Sequence, residues 1–209
     1  MRKLVLKMSV SVDGFVGGPD GEIDWVFQTM DESVTYWTME SLWQAGVHIM
    51  GSRTFYDMAS YWPYSTEPFA APMNKIPKVV FTRQGLIESF SEDFTTTAFK
   101  DASRRKGIDD PKQLVPGAES WTKVTVASGD LVEEINLLKQ QPGKDILAHG
   151  GASFARSLVE AGVIDEYRLL THPIVLGKGL PLFSEVLKPF DVNLVSTILF
   201  NSGAAAHIY

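Results

Sequence analysis

Between residues 3 and 12 the chain alternates, with Leu4, Leu6, Met8, Val10 and Val12 on one side and Lys3, Val5, Lys7, Ser9 and Ser11 on the other. A period of two predicts a strand with at least one strongly apolar face. Asp13-Gly14 ends it, and Gly17-Gly18-Pro19-Asp20-Gly21 continues as a glycine-rich loop, either a plain connection or a flap over a site. The period then changes. Val34, Trp37, Leu42 and Ala45 recur at near-helical spacing behind Asp31, a good N-cap, so a helix is predicted over residues 31–45 with Gly46 as its end. Val47-His48-Ile49-Met50 reads as a short buried strand. It runs into Gly51-Ser52-Arg53-Thr54-Phe55, where a second helix begins, closed by Trp62-Pro63-Tyr64.

Lys78-Val79-Val80-Phe81-Thr82 predicts the next strand, with Arg83 just beyond it. From Gln84 to about Ser120 the pattern weakens, and an irregular surface excursion is expected there. Order resumes at Trp121–Ala127. A helix follows, capped by Ser128 or Asp130, with Leu131, Val132, Ile135 and Leu138 on one stripe. Asp145–Ala148 reads as a strand, His149-Gly150-Gly151 as a turn, residues 152–161 as a helix and 166–172 as a further strand. Residues 173–183 form an apolar, glycine-punctuated strand and loop. Residues 192–200 and 204–209 make a hairpin joined at Asn201-Ser202-Gly203. Strand–helix alternation that closes on antiparallel strands predicts an α/β domain spanning residues 1–209, a mixed sheet with helices on both faces.

Composition narrows the chemistry. The 209 residues include no cysteine, which removes disulfides, thiolate nucleophiles and thiolate-held metals. His48, His149, His172 and His207 are scattered and form no HExxH pair, so no metal site is expected. A net charge of -6 provides no broad basic face for a nucleic-acid backbone, although a small anion needs only a few local donors. No apolar run reaches the roughly eighteen residues of a membrane span, and the amino terminus reads as a strand rather than a signal peptide. The cytoplasm is the expected compartment.

Three strand ends carry candidate chemistry. At His149-Gly150-Gly151 the missing Cβ atoms suit close approach of a phosphate to a helix N-terminus, and equally suit a tight turn at a crowded junction. Gly51-Ser52-Arg53-Thr54 repeats the strand-to-helix arrangement; Arg53 and Thr54 are either phosphate donors or a solvated charge and a cap. Thr82-Arg83 is the third. Ligands of open α/β sheets collect at such carboxyl ends. Ser153 belongs to no GxSxG elbow. Asp13, Asp24, Asp31 and Glu32 are acids able to orient a polar heterocycle, or turn and cap residues. Trp25, Phe27, Trp37 and Trp43 are either walls for a planar substrate or core.

Taken in order, Ser9-Val10-Ser11-Val12-Asp13-Gly14-Phe15, Met50-Gly51-Ser52-Arg53-Thr54-Phe55, Val80-Phe81-Thr82-Arg83, His149-Gly150-Gly151 and Pro173–Phe183 cover nearly the whole chain. This ordered set resembles the dihydrofolate reductase-like superfamily, and within it the C-terminal reductase domain of bacterial riboflavin biosynthesis, here standing alone. The resemblance implies a three-layer α-β-α fold with a central mixed, mostly parallel sheet and a C-terminal antiparallel hairpin. It implies NADPH as hydride donor and a small nitrogen heterocycle as acceptor, as in 5-amino-6-(5-phosphoribosylamino)uracil reductase. By analogy Gly150, Gly151, Arg53 and Thr54 lie by the pyrophosphate, and Thr82 and Arg83 near the adenosine ribose and its 2′-phosphate. Gly51, His149 and Ser153 complete the expected cofactor set.

For the reacting end, Asp13, Asp31 and Glu32 are the candidate catalytic acids, and Asp13, Trp25 and Lys178 the candidate substrate contacts. A folate reductase carries a carboxylate on its first helix facing the pterin. Asp31 and Glu32 come early for that position, which falls near Thr35, and this argues against a classical folate enzyme. No zinc-deaminase signature accompanies the domain. The alternatives are a nucleotide-binding protein with little turnover, a related enzyme acting on a pterin, and a scaffold used as a dimer platform. A homodimer is implied by the resemblance, with Pro173–Phe183 as a candidate interface.

Overall fold

Both faces of the first strand are covered, and this organises the molecule. The computed structural model describes residues 1–83, 85, 114–184 and 186–209. Its strands are β1 (Leu4–Ser11), β2 (Ala45–Gly51), β3 (Lys78–Phe81), β4 (Thr125–Ala127), β5 (Asp145–His149), β6 (Glu166–His172), β7 (Ser196–Leu199) and β8 (Ala205–Ile208). Its α-helices are α1 (Glu32–Trp43), α2 (Ser52–Ala59), α3 (Ala70–Lys75), α4 (Leu131–Gln140) and α5 (Ala152–Glu160). The strands form one sheet in the order β4-β3-β2-β5-β1-β6-β8-β7. From β4 to β6 every pairing is parallel; β8 and β7 continue it antiparallel. Parallel neighbours need crossovers, and the helices that make them cover the two faces. This is the mixed α/β architecture predicted from the alternation of elements.

On one face Leu4, Leu6, Met8 and Val10 of β1 join Ile49, Ile146 and Ala148 in a single apolar cluster under Ile135 and Leu138 of α4 and Ala155 and Leu158 of α5. The other face differs. Val5, Met50, Val80 and Leu147 pack with Leu42 of α1 and Phe55 of α2. A separate cluster gathers Val34 of α1 with Leu170, Phe200 and Ala206. Between these two lie the polar positions of β1.

Several boundaries shift for identifiable reasons. The helix predicted to reach residue 45 stops at Trp43, because Ala45 already pairs with Asp145 in β2 and Gly46 sits in a local irregularity of that strand. Residues 173–183 make no strand. Phe15 forms an isolated bridge with Pro181, and the backbone amides of Val16, Leu180 and Leu182 donate to the carbonyls of Leu180, Gly17 and Gly14. The glycine-rich loop is thereby clasped to the segment after β6. Helix α3, with Pro72 in its six residues, is too short and irregular for a period to show. The predicted hairpin is present as Ser196–Leu199 and Ala205–Ile208. Of the predicted excursion, residues 84 and 86–113 lie outside the described residues, and Ala118–Trp121 is a 3-10 turn.

Candidate functional site

The four longer helices each follow a parallel strand and start at its carboxyl end, but their caps differ chemically. Asp31 caps α1 by accepting from Val34 N, and Asp130 caps α4 by accepting from Val132 N and Glu133 N. At the carboxyl ends of β2 and β5 the caps are Gly51 and Gly151, and neither α2 nor α5 has a side-chain cap hydrogen bond. Because β2 and β5 are neighbours, these two helix starts lie side by side. A Cβ on Gly151 would stand 2.5 Å from Thr54 Oγ1, and one on Gly150 2.6 Å from the Met8 thioether. Gly151 also has φ +47°, which disfavours any other residue. At Gly151 the junction itself thus favours glycine, whereas at Gly150 only the flexible end of Met8 would have to move. What the junction leaves are two sets of first-turn N–H groups with the positive end of each helix dipole, a site suited to phosphate oxygens. Arg53 and Ser153 are exposed on the first turns of α2 and α5.

Thr82 continues the β3–β4 ladder through its amide to Ala127 O and donates its hydroxyl to Gly85 O at 3.0 Å, with Arg83 exposed beside it. The strand order β3-β2-β5 therefore brings Thr82-Arg83, Gly51–Thr54 and His149–Gly151 to one edge.

The acids have other employment. Asp13 accepts from Ser11 Oγ at 2.6 Å, Gly177 N at 2.7 Å and Leu176 N at 3.1 Å. The Ser11 hydroxyl above all, then the Gly177 and Leu176 amides against some desolvation, holds its carboxyl below the ordinary range. Asp31 caps α1, accepts from Ser33 Oγ at 2.7 Å and accepts from Ser202 N at 2.8 Å in the β7–β8 turn. Ser33, then Val34, keeps it low. Glu32 is exposed. Of the three candidate acids, two are staples of the fold and the third is at the surface. Lys178 is exposed beside the Gly177 amide that Asp13 holds. Trp25 is buried, donates Nε1 to Glu22 O, and meets His172 edge-on at 5.3 Å.

A polar cluster on the α1 face went unread in the sequence. Lys7 pairs in register with His149 on β5 and Arg168 on β6. Its Nζ lies 5.2 Å from the Trp37 ring centre, and among the described residues it has no hydrogen-bond acceptor and no carboxylate partner. Burial brings this ammonium down to about 8, with Arg168 adding to the effect. His149 is pushed down to about 3 by burial, then by Lys7 and Lys78; its Nε2 is buried without a partner. His172, in register with Ser11, bonds Thr29 Oγ1 through Nδ1 at 2.6 Å and leaves Nε2 buried and unpartnered. Burial and then Lys7 bring it to about 4. Both imidazoles are neutral at pH 7. The available signal was the polar side of β1, Lys7-Ser9-Ser11, on a strand whose parallel pairing buries both faces.

Among the described residues a hollow of about 560 Å³ lies elsewhere, lined by Glu40, Trp43, Gln44, Lys144 and Asp145 at the opposite end of β5, away from the predicted site residues. Among the described residues no helix is long and apolar enough to cross a membrane.

Comparison with known proteins bears on the family and the fold. Residues 2–205 match the family model of the RibD C-terminal domain. An uncharacterised protein of Bacillus subtilis (strain 168), YyaP, is 28% identical over 208 residues, covering 100% of this chain and 94% of its own. The crystal structure of a putative riboflavin biosynthesis protein from Shewanella sp. PV-4 superposes with a TM-score of 0.67 at 18% identity, over 100% of this chain and 98% of that one. A Thermotoga maritima diaminohydroxyphosphoribosylaminopyrimidine deaminase/5-amino-6-(5-phosphoribosylamino)uracil reductase gives 0.63 at 16% identity. There 99% of this chain covers 56% of the larger protein. At these identities the structural likeness speaks for the fold alone.

Proposed function

The chain belongs to the RibD C-terminal domain family, and from that premise we propose that it is an NADPH-dependent reductase of a small nitrogen heterocycle, of the kind that reduces 5-amino-6-(5-phosphoribosylamino)uracil. The observation that carries the cofactor reading is the pair of glycine-capped helix starts on adjacent strands, where the other long helices are capped by aspartate. Their free N–H groups, with Arg53, Thr54 and Ser153, hold the pyrophosphate. Thr82 and Arg83 receive the adenosine ribose and its 2′-phosphate. NADPH, when bound, supplies hydride from nicotinamide C4. The chain's task is then to orient the heterocycle and keep water from it. The Trp25, Trp37, Lys7, His149 and His172 face does this, one residue before the double glycine. Asp13 and Asp31 act as positioning residues for the loops around it. We place the enzyme in the cytoplasm and expect a homodimer.

Calorimetric titration with NADPH and NADH tests the reading. NADPH is expected to bind at least about tenfold more tightly, and Arg83→Ala to remove most of that difference, ~1.4 kcal/mol. No binding of either cofactor at millimolar concentration would sink the reductase reading. A preference retained in Arg83→Ala would move recognition of the 2′-phosphate to another residue. NADPH consumption across a panel of pyrimidines and pterins then identifies the acceptor.

A further inference from the structure

His48 stands in the sheet where an apolar residue is expected. It lies on β2 in register with Leu147 of β5 and Lys78 of β3, and it is fully buried. The nearby positions of that face, Met50, Val80 and Leu147, are apolar. Both ring nitrogens of His48 are nevertheless buried without a hydrogen-bond partner. Its ring meets that of His149, the last residue of the adjacent β5, edge-on with centres 4.5 Å apart. His149 is the half-buried member of the pair, and its Nε2 is also sealed off and unpartnered. A neutral imidazole carries one donor and one acceptor, so the two rings can satisfy each other. At this separation, turning one ring about its Cβ–Cγ bond, a broad two-fold rotation, brings a nitrogen of each within hydrogen-bond reach.

The polarity of the pair is set from its far side. Leu42 lies in the last turn of α1, whose carbonyls have no helix amide four residues on and form the negative end of the helix dipole. Burial first, then His149 and Lys78, keeps the His48 ring neutral, and the Leu42 carbonyl alone works toward a proton on it. Lys78 directs its Nζ to Ile76 O and Ser120 Oγ instead. A neutral His48 whose N–H turns to Leu42 has only a lone pair left for His149. His149 is held neutral as well, by burial and then by Lys7 and Lys78.

We propose that His48 is a positioning residue for His149: it donates to the Leu42 carbonyl and accepts from His149 Nε2–H, so that His149 presents the lone pair of Nδ1 at the strand end before Gly150. Lys7, in register with His149, has only donors to offer. The oriented imidazole therefore gives this strand end an acceptor for an N–H or O–H group. Its use rests on the reductase reading above. There the donor belongs to the nicotinamide riboside half of NADPH, which carries a carboxamide N–H and ribose hydroxyls.

Proton–nitrogen correlation spectra of the whole chain, isotope-labelled at histidine and held at neutral pH, read the tautomer of each ring. His149 is expected as the Nε2–H tautomer alone. His48→Leu removes the acceptor and should turn His149 to the Nδ1–H form, because Nε2–H would otherwise be buried and unpaired. His48→Gln, whose amide both donates and accepts, should keep the Nε2–H form. NADPH affinity should fall by about tenfold in His48→Leu and by less than about threefold in His48→Gln. A wild-type His149 that is Nδ1–H or a mixture overturns the proposal, and that measurement needs no variant to fold. So does an Nε2–H form that survives His48→Leu, or an NADPH affinity that His48→Leu leaves unchanged. If the wild-type chain binds no NADPH, the reductase reading falls, while the tautomers still decide the role of His48.

Discussion

Lys7, Lys78, His149 and His172 titrate away from their ordinary values mainly because burial removes water from the charged form. Lys78 comes down to about 7 although its Nζ donates to Ile76 O and Ser120 Oγ and lies 4.3 Å from the Trp121 ring centre. As pH falls below 6.5, unfolded imidazoles take up protons that folded His172 and His149 refuse until about 4 and 3, so acid removes stability. Between about 7 and 10.5, unfolded lysines keep protons that folded Lys78 and Lys7 release, so stability rises with pH. Tyr167, raised above 10.0 by burial, reverses the trend beyond that point. Thermal midpoints measured across buffers are therefore expected to climb from pH 4 to above 8, and Lys78→Met to flatten the alkaline limb. A decline already beginning at neutrality would contradict this. Asp13→Asn should strip hydrogen-exchange protection from the Leu176 and Gly177 amides, since an amide has one acceptor oxygen where the carboxylate has two. The sequence marked Asp13 as a candidate site residue. Its amide partners Leu176 and Gly177 were not legible, because they lie more than 160 positions away.

At the scale of elements the caps are the informative feature. Asp31 was read as the N-cap of α1 from its position ahead of a helical period, and the geometry agrees. For α4 the alternatives were Ser128 and Asp130, and Asp130 is the one used. Asp130→Ala should cost about 1 kcal/mol in chemical denaturation. In α2, Ser52→Asp would bring a carboxylate to an uncapped helix start. The thermal midpoint should hold or rise, because the charge complements the dipole. NADPH affinity should nevertheless fall by about tenfold or more, because the same charge opposes phosphate. A variant that lost stability and kept NADPH would argue that these helix starts do not bind it. Residues 173–183 show the opposite limit. Their apolar, glycine-punctuated composition suits a strand, but the amides and carbonyls of their second half find the loop of residues 14–17.

At the scale of the molecule, the edge strand β7 carries exposed apolar side chains: Leu199 is 81% exposed, and Val195 just before the strand 72%. Within residues 173–183, the sequence's candidate interface, Leu182 is buried in the main cluster while Val175 and Phe183 are exposed. An edge strand with such side chains invites pairing with another chain. Light scattering should find twice the monomer mass, and Leu199→Lys should shift it to monomer; a monomeric wild-type chain would count against the dimer. The sequence alone determined the alternation of strands and helices, the terminal hairpin and the three strand ends rich in Gly, Thr and Arg. Local periodicity and capping set these, and both are written in neighbouring residues. Only the tertiary structure decided that β5 inserts between β2 and β1, which sets the two glycine-capped helices side by side and His149 next to Lys7. The meaning of Lys7 followed from that order. A lysine on an alternating strand reads as solvated until both faces are known to be covered, and then it becomes a half-buried charge over Trp37 with no carboxylate partner among the described residues.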